Sequence, residues 1–133
     1  MMFVDTGALF ARYDPRDARH QHATSFWELL AESGEPLATS NFVISELLTL
    51  LARRTTYAFA AARAKEIYSS GECEILRPTA EVETKAVIYL ELYQGHQVSF
   101  SDCVSFVLME REGIRDVFAF DQHFRQAGFV VHP

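Results

Sequence analysis

The sequence predicts an α/β fold in which helices cover both faces of a short, mostly parallel sheet. Short apolar segments alternate along the chain with longer segments in which apolar residues recur every three or four positions. None of the short segments is joined to the next by the two-residue turns typical of hairpins. Strands separated by helices pair in parallel, so we expect a three-layer α/β/α arrangement.

Five strands are predicted where short apolar runs are bounded by polar or turn-forming residues. The first is the apolar run at the start of the chain, and Pro36 and Pro78 flank the second and third. The predicted strands cover residues 2–4, 37–39, 74–76, 116–120 and 129–131.

Helices are predicted between these strands, where the apolar spacing changes to three and four residues. Ser40 or Asn41, Thr79 and Ser99 are expected to cap three of them, because such side chains accept hydrogen bonds from the first free backbone N–H groups. The predicted helices cover residues 8–13, 18–32, 41–54, 57–69, 80–94, 100–112 and 122–126.

Length and composition favour one globular unit. A chain of 133 residues that is 49% hydrophobic can bury its own core, so residues 1–133 are expected to form a single domain. No apolar run approaches the roughly 18–20 residues of a membrane span, and no basic leader precedes the first strand. These features predict a cytoplasmic protein without a membrane partner.

The net charge of −6 does not identify the binding partner. Proteins that bind nucleic acids usually carry a basic surface. Here, however, four acidic residues interrupt apolar segments, and without them the charge is −2 (−6 + 4). The ten arginines and two lysines favour phosphate binding, since the guanidinium fork matches phosphate, but genome base composition gives the same bias.

The four unusual acids are Asp5, Glu46, Asp102 and Asp121, each placed beside or inside an apolar segment. Carboxylates are rarely buried unless they are paired or bind a metal ion, because dehydration is costly. Asp5 and Asp121 end predicted strands, while Glu46 and Asp102 lie in the first turns of helices that start at the same edge. The carboxyl edge of a parallel sheet is the usual ligand site. We therefore expect the four acids to converge on a hard divalent cation.

Each acid also has a purely structural explanation. Glu46 lies on the polar stripe of its helix and could simply face water. Asp102 stands three residues after Ser99, as in a capping box. Asp121 and Asp5 could each cap the turn that follows them. Capping does not exclude metal binding, because a carboxylate has two oxygens.

The segments around these acids resemble those of PIN-domain ribonucleases, and within them the VapC-like toxins of bacterial and archaeal toxin–antitoxin pairs. The resemblance runs nearly end to end. It rests on residues 3–6 (Phe-Val-Asp-Thr), Ser45-Glu46, residues 98–103 (Val-Ser-Phe-Ser-Asp-Cys) and residues 118–124 (Phe-Ala-Phe-Asp-Gln-His-Phe), followed by Gly128.

This resemblance implies an α/β/α sandwich and cleavage of single-stranded RNA with Mg²⁺ or Mn²⁺. Carried over position by position, Asp5, Glu46, Asp102 and Asp121 take the metal site, and Thr6 assists through its hydroxyl. It also implies an RNA substrate, single-stranded or a structured loop, a cognate antitoxin protein and a homodimer.

An antitoxin helix would need an apolar surface on this chain. The aromatic residues expected to be exposed enough to provide it are Phe26, Tyr57, Phe59 and Tyr93.

Other functions stay open at this point. One is a PIN nuclease of RNA processing or DNA that has no antitoxin, and another is a PIN domain that only binds. A haloacid-dehalogenase-like phosphatase would need a second aspartate two residues after Asp5, where Gly7 stands.

Expectations for the remaining polar residues are weaker. Without metal, at least one of the clustered acids should have a raised pKa. His123 is expected only to pack or cap near Asp121. Candidates for a phosphate-binding track are Arg12, Arg16, Arg19, Arg53 and Arg54, although exposed arginines commonly serve only solubility.

Overall fold

The computed structural model describes all residues from 1 to 133. It contains a five-stranded sheet flanked by seven helices. The strands are β1 (Met2–Val4), β2 (Leu37–Ser40), β3 (Cys73–Leu76), β4 (Asp116–Phe118) and β5 (Val130–His132). They lie in the order β3-β2-β1-β4-β5, and every neighbouring pair is parallel. The predicted α/β fold with a parallel sheet is confirmed.

Four of the seven helices follow a residue whose side chain accepts a backbone N–H bond from the first turn. All seven helices flank the sheet. They are α1 (Thr6–Tyr13), α2 (His20–Ser33), α3 (Asn41–Arg54), α4 (Tyr57–Ser70), α5 (Ala80–Leu92), α6 (Phe100–Glu112) and α7 (His123–Gln126). Ser40, Thr79 and Ser99 cap α3, α5 and α6, as predicted, and Thr56 caps α4 in the same way. The caps of α3 and α5 fix the first turns of helices that follow strands, and the cap of α6 fixes the turn that carries Asp102.

β4 is two residues shorter than predicted, and the difference shapes the functional edge of the sheet. β1 ends at Val4 because α1 begins at Thr6, so β4 has no partner on that side beyond Phe118. The last link is the Asp5 N–H, which donates to the Phe118 carbonyl oxygen at 3.0 Å. On the other side, the Ala119 N–H still donates to the His132 carbonyl oxygen at 3.1 Å, so the chain leaves the sheet after Ala119 and Phe120 lies beyond the strand.

The order of the strands changes direction at β1, since β2 and β3 follow on one side of it and β4 and β5 on the other. The carboxyl ends of strands at such a reversal form the crevice in which ligands of open α/β sheets bind. Two nearly all-buried helix faces support this region. In α6 every residue from Asp102 to Met109 is buried, and in α3 Val43, Ile44 and Leu47 are buried.

Three of the four aromatic residues expected at the surface pack against the core instead. They are Phe26, Phe59 and Tyr93. Phe26, for example, meets the buried Phe118 edge-on, with ring centroids 4.7 Å apart. Only Tyr57 is well exposed, at 83%.

None of the helices combines the length and the apolar composition that crossing a bilayer requires.

Candidate metal centre

All five predicted site residues line one cleft of about 380 Å³ at the carboxyl ends of β1 and β4. The structure thus brings together residues that are up to 116 positions apart (121 − 5). The predicted residues in the cleft are Asp5, Thr6, Glu46, Asp102 and Asp121. The cleft is also lined by Arg19, Gln97, Phe120 and His123.

Asp5 lies directly after β1 and is only 6% exposed. It occupies the residue before α1, yet its side chain makes no capping hydrogen bond. Burial, the nearby charge of Asp102 and smaller contributions from Glu46 and Asp121 raise the pKa of Asp5 to about 8. A contact with the Thr6 backbone N–H lowers this pKa but does not offset burial, so a local turn does not account for the position of Asp5, which a cation beside it would stabilise.

Glu46 is connected to β1 through Thr6. The Thr6 hydroxyl donates a hydrogen bond to Glu46 Oε2 at 2.9 Å, which joins the first turn of α1 to the second turn of α3. Glu46 is exposed, so it faces water as its polar stripe suggested. The hydrogen bond nevertheless holds its carboxylate at the cleft.

Asp102 has two roles in the structure. The capping box is present: Ser99 Oγ accepts from the Asp102 N–H at 3.0 Å, and Asp102 Oδ2 accepts from the Ser99 N–H at 3.3 Å. The second oxygen, Oδ1, accepts no hydrogen bond. Burial raises the pKa of Asp102, and the hydrogen bond from His123 opposes that rise. Capping therefore leaves Asp102 with an oxygen for a ligand.

Asp121 and His123 form a compact turn after β4. Asp121 Oδ1 accepts a hydrogen bond from the His123 backbone N–H at 2.9 Å. The imidazole Nδ1 of His123 lies 3.0 Å from Asp121 Oδ1 and 3.1 Å from Asp102 Oδ2. His123 thus touches two of the acids, a role the sequence reasoning missed. Its only sequence signal is the spacing of two residues from Asp121.

The chemistry of these residues fits a hard divalent cation. Four carboxylates supply oxygen ligands, which Mg²⁺, Mn²⁺ and Ca²⁺ prefer. The raised pKa of Asp5 is that of a buried acid without a neighbouring positive charge, and burial also raises the pKa of Asp102 despite its contact with His123. One ligand atom each from Asp102, Asp121 and His123 lie within 4.8 Å of one another, close enough to share an ion.

Of the five arginines considered for a phosphate track, only Arg19 lines the cleft. Arg12 and Arg16 are held by acidic neighbours outside it. Arg53 and Arg54 lie in the last turn of α3, away from the acids. Of these candidates, the structure therefore places one in the cleft and the other four outside its lining.

The comparisons with known proteins agree on one family. The PIN domain family model matches residues 2–130. The 23S rRNA-specific endonuclease VapC20 of Mycobacterium tuberculosis is 38% identical over 134 residues, covering 100% of this chain and 99% of that protein. A VapC ribonuclease of Aquifex aeolicus is 28% identical, covering 100% and 97%.

Solved structures give the same result. The crystal structure of M. tuberculosis VapC20, described as a Sarcin-Ricin loop cleaving toxin, matches with a TM-score of 0.87. The identity is 36%, and the match covers 98% of this chain and 97% of that one. VapBC2 of Rickettsia felis, solved with a DNA fragment, shares the fold with a TM-score of 0.71 at 16% identity, covering 99% and 98%.

Proposed function

This chain belongs to the PIN-domain family as a ribonuclease of the VapC type, and we propose that it cleaves RNA with a divalent cation, Mg²⁺ or Mn²⁺, held by Asp5, Glu46, Asp102 and Asp121. One observation carries this proposal. Four carboxylates from four elements line one cleft, and the most buried of them, Asp5, has no cap or ion pair that explains its position.

The residues divide the work according to burial and contact. Asp5 and Asp102, both buried, are the central ligands. Glu46 and Asp121 are more exposed and bind the ion directly or through water, or orient the attacking water. Thr6 keeps the Glu46 carboxylate turned toward the cleft. When bound, a divalent cation at this place would lower the pKa of a water molecule and stabilise charge on the phosphodiester.

We take the substrate class from VapC20, which has a higher sequence identity to this chain than the Aquifex aeolicus ribonuclease. VapC20, at 38% identity over the full length, is named a 23S rRNA-specific endonuclease. We extend that class to this chain: a single-stranded or looped segment of ribosomal RNA. An open cleft at a sheet edge suits a strand whose bases are not paired.

We assign this chain the role of the toxin in a toxin–antitoxin pair, acting as one domain of residues 1–133 in the cytoplasm. The surface for the antitoxin is a groove of about 450 Å³ between α3 and α4, lined mainly by apolar side chains that include Leu48, Ala61 and the exposed Tyr57. A helix with an apolar face fits such a groove. The product of a neighbouring short reading frame should co-purify with the wild type and with Lys65→Glu but not with Ala61→Glu. If it co-purifies with both variants, this surface is excluded.

We assign the interface of the homodimer to α5. This helix exposes four large apolar side chains to solvent, a pattern typical of a covered face. They are Val87, Ile88, Leu90 and Leu92. Light scattering should give a dimer for the wild type and a monomer for Ile88→Glu. A wild-type monomer at high micromolar concentration would exclude the dimer.

The proposed function is tested by cleavage of a labelled RNA that carries ribosomal loop sequences. Wild-type protein and Asp5→Asn would be assayed with Mn²⁺, with Mg²⁺ and with chelator. We expect cutting only by the wild type and only with a cation. Equal cutting by both proteins, or cutting in chelator, would contradict the proposal. Metal binding to folded protein without cutting of any RNA would favour the non-catalytic alternative.

A further inference from the structure

We propose that Arg19 is a substrate-binding residue that contacts a backbone phosphate of the RNA beside the acidic cleft, an inference that rests on the proposed ribonuclease function. Four carboxylates repel a polyanion, and a cation at the site offsets only part of that charge. The substrate therefore needs a positive group at the rim of the cleft. Arg19 is the only arginine or lysine among the lining residues.

The guanidinium of Arg19 is held on two sides. Its Nε lies 3.3 Å from Asp17 Oδ1, which also accepts the Arg19 backbone N–H at 2.8 Å. Its guanidinium carbon lies 4.8 Å from the centre of the Phe120 ring, a cation–π contact. Phe120 is at this place because the chain leaves the sheet after β4.

This arrangement leaves the Nη groups of the Arg19 guanidinium free to bind a phosphate. The two Nη groups make no hydrogen bond within the protein, and the side chain is 46% exposed. The donors of a guanidinium match two phosphate oxygens in one plane. Because Asp17 and Phe120 already fix the group, less conformational entropy is lost when RNA binds.

A surface pair with an aspartate is by itself weak evidence, since such pairs contribute little and are common. Arg111 illustrates this case: it pairs with Glu112 at 3.0 Å but lies outside the acidic cleft. Arg19 differs in its position beside the four acids and in its aromatic support. Arg111 therefore provides a matched control with the same charge and a similar local pair.

The decisive measurement is RNA binding without cleavage. In an Asp5→Asn background, fluorescence anisotropy would follow a labelled single-stranded RNA oligonucleotide between low and high salt. Arg19→Gln should weaken binding about tenfold, as expected for a charged hydrogen bond. It should also reduce the slope of log affinity against log salt by about 0.7, the value for one phosphate contact on a single strand. Arg111→Gln should change neither quantity. Equal affinities for the two variants would overturn the inference.

A double-mutant cycle of Phe120 and Arg19 tests the role of Phe120 as a positioning residue. Phe120→Leu should weaken binding about threefold when Arg19 is present and have no effect in Arg19→Gln, because Phe120 acts through the guanidinium. Independent, additive effects would contradict that role. In the cleaving protein, Arg19→Gln should raise KM and leave kcat within about twofold, as for uniform binding.

The two proposals fail in different ways. If the wild type cuts no RNA, the ribonuclease function fails, while the binding assay still decides the role of Arg19. If the wild type cuts and Arg19→Gln binds RNA normally, only the role of Arg19 is wrong. Thermal melting of each variant would establish that it is folded, which exposure of the Arg19 side chain leads us to expect.

Discussion

The imidazole Nδ1 of His123 lies 3.1 Å from Asp102 Oδ2. The same nitrogen lies 3.0 Å from Asp121 Oδ1, so one side chain contacts two acids that come from α6 and from the loop after β4. The contact lowers the pKa of Asp102, in opposition to burial, which raises it. His123 therefore makes Asp102 more available as a carboxylate when the pH is near neutral.

Replacing His123 should make metal binding more dependent on pH. In His123→Ala, only the Ser99 N–H bond still opposes the effect of burial on Asp102, so the pKa of Asp102 rises further and protons compete better with the cation. We expect Mn²⁺ affinity to fall about tenfold at pH 6.5, a usual effect for a residue that orients a ligand, and to recover near pH 9. Calorimetric titration at both pH values would measure this, with His96→Ala as the control. A loss of equal size at both pH values would show that His123 acts in another way.

Asp5 should destabilise the metal-free protein at high pH. Its pKa is about 8 in the folded chain, against 3.8 as the ordinary value. Between these values the folded state binds one more proton than the unfolded state, so the free energy of unfolding falls as pH rises from about 4 to about 8. Asp5→Asn removes this loss and should stabilise the protein at pH 8 by at least about 1 kcal/mol, the equivalent of one pKa unit.

Urea unfolding in chelator at pH 5 and pH 8 would measure that difference. Adding Mn²⁺ should reverse the order of stability at pH 8, because the cation stabilises the wild type and not the variant. An Asp5→Asn protein that is less stable than the wild type in chelator at pH 8 would contradict the buried, proton-binding state of Asp5.

The Thr6 hydroxyl should matter through Glu46 rather than through stability. Thr6→Val keeps the shape of the side chain and removes the donor to Glu46 Oε2. We expect kcat/KM for RNA cleavage to fall about tenfold, the value of one hydrogen bond to a charged group. Thr6→Ser keeps the hydroxyl and should stay within about twofold of the wild type. Similar losses in both variants would point to packing instead.

Ser99 should affect both stability and the metal site. Ser99→Ala removes the half of the α6 capping box that uses the Ser99 hydroxyl and should lower the free energy of unfolding by about 1 kcal/mol. It also removes the acceptor for the Asp102 N–H, which leaves the first turn of α6 held only by the Ser99 N–H bond to Asp102 Oδ2, so Mn²⁺ affinity should fall several-fold. Thr56→Ala removes the cap of α4, which carries no acid of the cleft, and should cost similar stability without changing Mn²⁺ affinity. Equal Mn²⁺ affinities in the two variants would show that the Ser99 cap does not contribute to metal binding.

The sequence predicted the fold because its signals are local. Capping residues such as Ser40 and Ser99 and the apolar spacing within helices depend on neighbours a few positions away. The convergence of the acids was also predictable, since parallel strands end at one edge. The end of β4 was not, because it depends on the register in which β4 pairs with β1, which no pattern within β4 encodes.

Side-chain partners across the cleft were harder to predict for the same reason. His123 meets Asp102 across 21 positions, and Arg19 meets Phe120 across a longer separation. Neither pair has a spacing that sequence periodicity can reveal. Arginine positions gave five equal candidates, and only the folded chain distinguishes the one that lines the cleft.

The central claim is that the carboxylates of the cleft form one cation site, and direct Mn²⁺ titration by calorimetry tests it. The wild type should bind one or two ions, and Asp5→Asn and Asp102→Asn should each lose at least tenfold in affinity. Asp116→Asn, at the opposite end of β4 where Asp116 pairs with His132, should bind as the wild type does. Equal Mn²⁺ affinity in all four proteins, or no binding by the folded wild type, would contradict the account.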